Sequence, residues 1–194
     1  MGEIVIMGRK VFVSYKYLDG RKCKDRIMAK LGSQGHIYKG EKGYNDLSSY
    51  SASTIKSYLS DMIYDSSVLV VVISPNVSRS EWVDWEIGYA LRNASRDGRV
   101  SKRNGIVCVV QKDEYSGNSS WAYDNKGNVL SFYLPNKIKH NMQKTYGALS
   151  YFESPNPDYC IVVSEASFMA DPQKYIEDAY TKSTMPYSFP ITLK

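Results

Sequence analysis

"SVLVVVIS", residues 67–74, is the stretch on which the fold turns. Its six central residues are apolar without interruption and mostly β-branched. A half-exposed strand would alternate apolar and polar residues, so an unbroken run of this length marks a strand covered on both faces, as in a parallel sheet. "KVFVSY" (10–15), "GIVCVVQ" (105–111) and "YCIVVSE" (159–165) read the same way, and a weaker strand is expected near "HIYKG". Amphipathic patterns between and after these runs predict helices over 21–32 with Gly32 as a stop, 52–63, 79–94, and 172–183 with Asp171 as cap and Pro172 at the first helical position. Strands alternating with helices give an α/β fold: a flavodoxin-like, doubly wound, mainly parallel sheet with helices on both faces.

Length and composition fit that architecture. A chain of 194 residues, 43% hydrophobic and 23% charged, is expected to be one soluble domain, with its core over 9–111 and 158–183. The intervening 112–157 is rich in Tyr, Asn, Ser and Gly. It is read as an insertion before the last strand, either locally structured or a lid. The 25 basic and 20 acidic residues are interspersed, so the net charge of +5 describes a solvated surface, and no nucleic-acid partner is expected. The three cysteines are an odd number and two lie inside apolar runs, which suits a reducing cytoplasm. His36 and His140 stand apart from any ligand spacing, so no metal is expected. No apolar run could span a bilayer, no signal-peptide pattern opens the chain, and Ile6 occupies the place where a myristoylation motif needs Ser or Thr. The expected setting is cytoplasmic, without a membrane partner.

In open parallel sheets ligands bind beyond the carboxyl ends of the strands, where the strand order reverses. Residues following the strands are therefore the ones to inspect: Ser14, Tyr15, Lys16 and Tyr17 after the first, and Ser74, Pro75 and Asn76 after the third. "VSYKYLDG" lacks the glycine fingerprint of a dinucleotide-binding Rossmann turn and is no P-loop. The third run ends in Ser-Pro, without the Asp that a phosphate-accepting receiver domain carries there.

"SRSEWVDWEIGYAL" (78–91) follows that run directly. Ser78 with Glu81 reads as a capping box, with Ser80 as a competing cap. At roughly 100° per residue, Val83, Ile87, Ala90, Leu91 and Ala94 form the stripe that meets the sheet, and Glu86 lies on its flank between Trp82 and Tyr89. A carboxylate so placed is expected to be partly desolvated, which favours a raised pKa. Mid-helix Gly88 implies that some group approaches closely, because glycine there costs roughly 1 kcal/mol against alanine.

These residues resemble a known family. "RKVFVSYKYLD" is similar to the opening strand and loop of TIR and TIR-like domains, and "SPNVSRSEWVDWEIGYAL" to their third-strand exit and following helix. Trp82 to Glu86 match the W-x-x-x-E pattern of bacterial TIR proteins. The resemblance is nearest to the TIR-like proteins of the Thoeris anti-phage system and is good over 9–111. It implies an NAD+ glycohydrolase or cyclase that makes an ADP-ribose-derived, cyclic or otherwise modified messenger for a separate effector protein, with NAD+ as substrate, no cofactor, and self-assembly. It also implies roles for residues: Glu86 catalytic at the nicotinamide ribose, Trp82 at the pocket wall, Ser14 and Tyr15 beneath the base, and Ser74 at the ribose, while Tyr89 flanks Glu86 in the pocket. "YNDLSSYS" (44–51) stands where the family has a loop after the second strand, but matches it poorly.

The chemistry fits a site with one acid and no histidine. Nicotinamide leaves as a neutral base from a cationic ring, so an oxocarbenium-like centre needs a carboxylate beside it and no strong general acid. Two other readings compete. "EIGYAL" also resembles the nucleophile helix of nucleoside deoxyribosyltransferases, although the acids those enzymes carry near the end of the third strand are absent from Ser74-Pro75-Asn76. The other, of a different class, is a non-catalytic TIR-like interaction module in which Glu86 is structural.

Overall fold

The structure, a computed structural model, describes residues 8–33, 37–38, 50–96, 98–142, 158–185 and 189–193. In chain order the main elements are β1 (Lys10–Ser14), α1 (Tyr17–Ser33), β2 (Ile37–Tyr38), α2 (Ala52–Tyr64), β3 (Val68–Ile73), α3 (Glu81–Ala90), β4 (Ala94–Arg96), β5 (Arg99–Ser101), β6 (Gly105–Val110), α4 (Asn136–Met142), β7 (Cys160–Ser164), α5 (Glu165–Ala170) and α6 (Pro172–Thr184). Five of the strands form one sheet in the order β2-β1-β3-β6-β7, and every pairing in it is parallel. This is the doubly wound α/β arrangement, and the order reverses between β1 and β3.

The unbroken apolar runs are explained by burial. Every residue of β3 and β6 is buried, and strand alternation sends them to two separate cores. Leu69, Val71, Ile73, Ile106 and Cys108 pack with Leu59 and Ile63 of α2, Val83 and Ile87 of α3 and Ile138 of α4. Val68, Val70, Val72, Val107 and Val109 pack with Cys23, Ile27 and Leu31 of α1, Phe168 of α5 and Ile176 and Ala179 of α6. Each such aliphatic side chain contributes on the order of 1.5–3 kcal/mol, so these two strands carry much of the stability. Gly105 opens β6 under α6, where a Cβ would collide with the Ala179 carbonyl. The three cysteines are free and buried, and burial pushes the Cys108 and Cys160 thiols well up from their ordinary range.

Several local expectations are corrected. Helix α1 begins at Tyr17, four residues before the expected start, and continues through Gly32. Gly20 in the first turn is buried tightly enough that a Cβ would lie 3.2 Å from Tyr15 Cβ, and this packing outweighs its poor helical propensity. Helix α3 is shorter than 79–94: its N-cap is Ser80, whose hydroxyl accepts from the Val83 amide at 3.3 Å, while Ser78 lies in a preceding 3₁₀ turn, Val77–Arg79. Past Leu91 the chain enters an antiparallel hairpin, β4 with β5, so Ala94 belongs to a strand and not to the helical stripe. The Asp-Gly dipeptide at 97–98 was the available signal, and Gly98 has the positive φ, +74°, that such a turn requires. The last strand ends at Ser164, so Glu165 opens α5.

The first part of the 112–157 stretch has local structure. Carboxylates of Asp113 and Asp124 bind the amides of tight turns, 3₁₀ turns span Ser120–Ala122 and Ser131–Tyr133, and Trp121 meets Tyr133 edge-on at 4.7 Å. Ala122, Leu134 and Ile138 are buried in the core beneath α3. Residues 143–157 lie outside the described residues. No helix among the described residues is long and apolar enough to cross a membrane.

Candidate active site at the β1–β3 crest

Two residues far apart in sequence meet where the strand order reverses. Ser14 ends β1 and shares the orientation of Phe12, towards α3; it is 1% exposed. Its Oγ donates to Glu86 Oε2 at 2.5 Å. Glu86 reaches this point because the turn after β3 is brief, so α3 rises directly beside the carboxyl ends of β1 and β3. The carboxylate is only 6% exposed, which bears out the desolvation expected of it but exceeds what a flanking position suggested. Removing a carboxylate from water is costly unless hydrogen bonds receive it, and the Ser14 hydroxyl is one such donor.

The other expected site residues divide. Alternation turns Tyr15 away from Ser14 to the α1 side, where its ring packs against the other core and has Lys24 Nζ 5.2 Å from its centroid. The structure therefore does not group Tyr15 with Glu86. Ser74, just past β3, is 0% exposed and by alternation continues the Val70–Val72 row that faces α1. Trp82 is 40% exposed and meets Trp85 edge-on at 6.3 Å, while Tyr89 lies 5.8 Å beyond Trp85. Trp85, which the sequence reading passed over, thus joins the two aromatic residues that were singled out. Lys56 of α2 holds its ammonium 5.6 Å from both indoles. The i, i+3, i+7 spacing of the three rings was the signal available in sequence.

Gly88 has a different explanation from a ligand's approach. A Cβ there would collide with the Lys137 side chain, which crosses α3 from α4. Lys137 Nζ pairs with Asp84 Oδ2 at 3.1 Å, and the Lys137 amide donates to Asp84 Oδ1 at 3.1 Å. The missing side chain therefore admits a clamp between the inserted segment and the helix that carries Glu86. A groove of about 330 Å³ beside this clamp is lined by Ser80, Asp84, Trp85, Arg92 and Lys137, and it does not include Glu86.

A second buried acid at the carboxyl side is fully committed to structure. Glu165, 3% exposed, is gripped by Arg26 at 2.5 and 3.0 Å and accepts from the Lys112 amide at 2.8 Å. Burial alone would raise this carboxyl, but the Arg26 and Lys112 hydrogen bonds outweigh it and hold it below the usual carboxylate range. Among the described residues there is no group of three or more His, Cys, Asp or Glu that could hold a metal ion. The segment 44–49 and the strand-to-loop exit after Tyr38 lie outside the described residues.

The arrangement is one desolvated carboxylate, oriented by a serine, at the switch point of a doubly wound sheet. Residues 12–116, more than half of the chain, match the family model described as Thoeris protein ThsB, TIR-like domain.

Proposed function

Since the chain belongs to the TIR-like ThsB family and is a Thoeris-type defence component, we propose that it cleaves the nicotinamide–ribose bond of NAD+ and releases an ADP-ribose-derived, cyclic signalling nucleotide that a separate effector protein reads. The observation that carries this reading is the Ser14–Glu86 pair, a carboxylate 6% exposed and held at 2.5 Å by a buried hydroxyl at the reversal of strand order.

In the proposed reaction the C1′–N bond breaks and its electron pair returns to the nicotinamide ring, neutralising the pyridinium. Positive charge develops at C1′, and Glu86, already desolvated, opposes it with little reorganisation. Ser14 fixes which carboxylate edge faces the sugar. Capture of C1′ by water gives ADP-ribose; capture by a nucleophile of the same molecule gives a cyclic product. Trp82 and Tyr89 supply aromatic surface near this site, and self-assembly would complete it.

A second reading gains from one specific observation. An acid near the end of the third strand, missing from the local sequence, is supplied by Asp19 of α1, whose Oδ2 accepts from the Asn76 amide at 3.0 Å. That favours N-glycosidic chemistry on a nucleoside as the alternative. The two are separated by incubating concentrated protein with NAD+ or with nucleosides and following base release. Nicotinamide release with mass-identified ADP-ribose products is expected; exchange or release from nucleosides with NAD+ untouched would replace the NAD+ reading.

A further inference from the structure

Asp19 has an arrangement that the helix it belongs to does not explain. It lies in the first turn of α1, yet its Oδ2 reaches across to the turn leaving β3, accepting from the Asn76 main-chain N at 3.0 Å and from Asn76 Nδ2 at 3.1 Å. Lys16 Nζ donates to the Asn76 carbonyl at 3.3 Å, and the Lys16 carbonyl accepts from Gly20 N at 2.8 Å, so the two strand exits are tied together. With Oδ2 doubly engaged the carboxylate is fixed in rotation. Its other oxygen, Oδ1, is shielded from solvent and has no hydrogen-bond partner among the described residues.

The neighbouring strand end repeats the pattern. Ser74, 0% exposed and in line with the row that α1 covers, also has an Oγ without a hydrogen-bond partner among the described residues. A Cβ on Gly20 would lie 3.5 Å from Val72 Cγ1, so the first turn of α1 sits directly over this row. A buried polar group without a partner costs about 1–3 kcal/mol, and native structures keep few of them.

The chemistry of the partner follows from what these atoms can do. An ionised carboxylate only accepts, so whatever meets Oδ1 must donate. A phosphate offers no donor and is repelled, and a carbonyl offers none; an exocyclic amino group or a carboxamide N–H does donate, and the analogues lacking ribose hydroxyls tell it apart from a sugar. A sugar hydroxyl donates and is neutral, and a neighbouring hydroxyl on the same ring can exchange a hydrogen bond with Ser74. We infer that Asp19, held by Asn76 and assisted by Ser74, binds the vicinal hydroxyls of a ribose, on the α1 side of the crest whose α3 side carries Glu86. This rests on the reading of the crest as an N-ribosyl site, and it adds a second carboxylate to that site, for recognition rather than bond cleavage.

The test uses Glu86→Gln protein, so that ligand is not consumed, titrated calorimetrically with NAD+ and with two analogues lacking both hydroxyls of either the nicotinamide ribose or the adenosine ribose. Adding Asp19→Asn is expected to weaken NAD+ binding about tenfold or more. One of the two analogues should bind correspondingly worse than NAD+ when Asp19 is present, and no worse than NAD+ in Asp19→Asn. Affinity within twofold of the Asp19 background, or losses from the substitution and the missing hydroxyls that simply add, would overturn the assignment. Ser74→Ala guards against a folding artefact: removing a hydroxyl that lacks a partner should leave the melting temperature unchanged or higher while weakening NAD+ several-fold. Unchanged affinity there removes Ser74 from the site. Nicotinamide release by the wild type alongside undiminished binding in Asp19→Asn overturns only the role of Asp19, whereas no release by the wild type and no NAD+ binding by any variant overturns both readings.

Discussion

The two ends of the central strands bury polar groups in opposite ways. At the amino end, Asn104 Nδ2 donates to Ile63 O, Ser66 O and Ser66 Oγ at 3.2, 2.7 and 2.9 Å, its amide donates to Ala90 O at 2.8 Å, and its carbonyl accepts from Tyr159 Oη at 2.6 Å. Lys182, also buried, donates to the Asp158 carbonyl at 2.6 Å. At the carboxyl end, beside the fully bonded Glu165, stand Glu86 and Asp19, the latter with one oxygen lacking a hydrogen-bond partner among the described residues, and the buried Ser74 hydroxyl is in the same state. Asn104 recovers its desolvation cost within the fold and so helps to hold it together. Asp19 Oδ1 and Ser74 Oγ at the carboxyl end do not recover theirs among the described residues.

That contrast predicts which property each substitution alters. The largest expected effect is Glu86→Gln, which should lower nicotinamide release by roughly 10²–10³-fold with the melting temperature unchanged or raised; residual activity within a few-fold of wild type would break the assignment. Asn104→Ala should do the reverse. It leaves the Ser66 carbonyl without its Nδ2 donor and removes one of the donors to the Ile63 carbonyl, which should cost about 2–4 kcal/mol of unfolding free energy, with activity per folded molecule retained, as denaturant melts and active-site titration can check. A smaller loss is expected from Ser14→Ala, about tenfold in kcat with little change in KM, since the carboxylate persists but loses its orientation. An equal fall in wild-type and Glu86→Gln binding, with kcat intact, would place Ser14 in binding instead.

The smallest effect concerns pH. Burial lowers the Lys182 ammonium to about 8, despite the opposing fields of Asp158 and Asp178. Between that value and the ordinary lysine range the unfolded chain holds a proton that the folded chain has released, so this residue's contribution to stability rises with pH across that window. Measured as wild type minus Lys182→Met, the difference should grow by roughly 1 kcal/mol per pH unit above pH 8. A flat difference would show that the ammonium keeps its charge in the folded state.

The legible part of the fold was the part governed by local hydrophobic pattern. Continuous apolar runs identified β1, β3, β6 and β7 because a doubly covered strand has no polar face to show, and the short β2 was signalled by "HIYKG". The cap of α6 at Asp171 followed from a side chain that binds the amide three residues on, whereas Ser51, which caps α2 in the same way, was not anticipated. Where two serines could cap α3, sequence offered no means of choosing, and backbone geometry selected Ser80. The β4–β5 hairpin was missed because helical periodicity was extended over a stretch whose Asp-Gly turn argued against it.

For the candidate site, the rule that ligands bind beyond strand ends pointed to Ser14, Tyr15 and Ser74 from the order of elements alone, while Glu86 was singled out by its place on the following helix and the W-x-x-x-E resemblance. Alternation at the end of β1 then separated Tyr15 from Ser14, a consequence of a side-chain period of two that was available in sequence and was not applied. What tertiary structure alone decided were the pairings across long separations. Ser14 meets Glu86 over 72 residues and Asn76 meets Asp19 over 57, while Lys137 fills the space that Gly88 leaves, although glycine by itself says only that something comes near. Periodicity reports which face of an element is buried; it carries no information about which distant residue is buried against it, and that choice depends on the packing of the whole sheet.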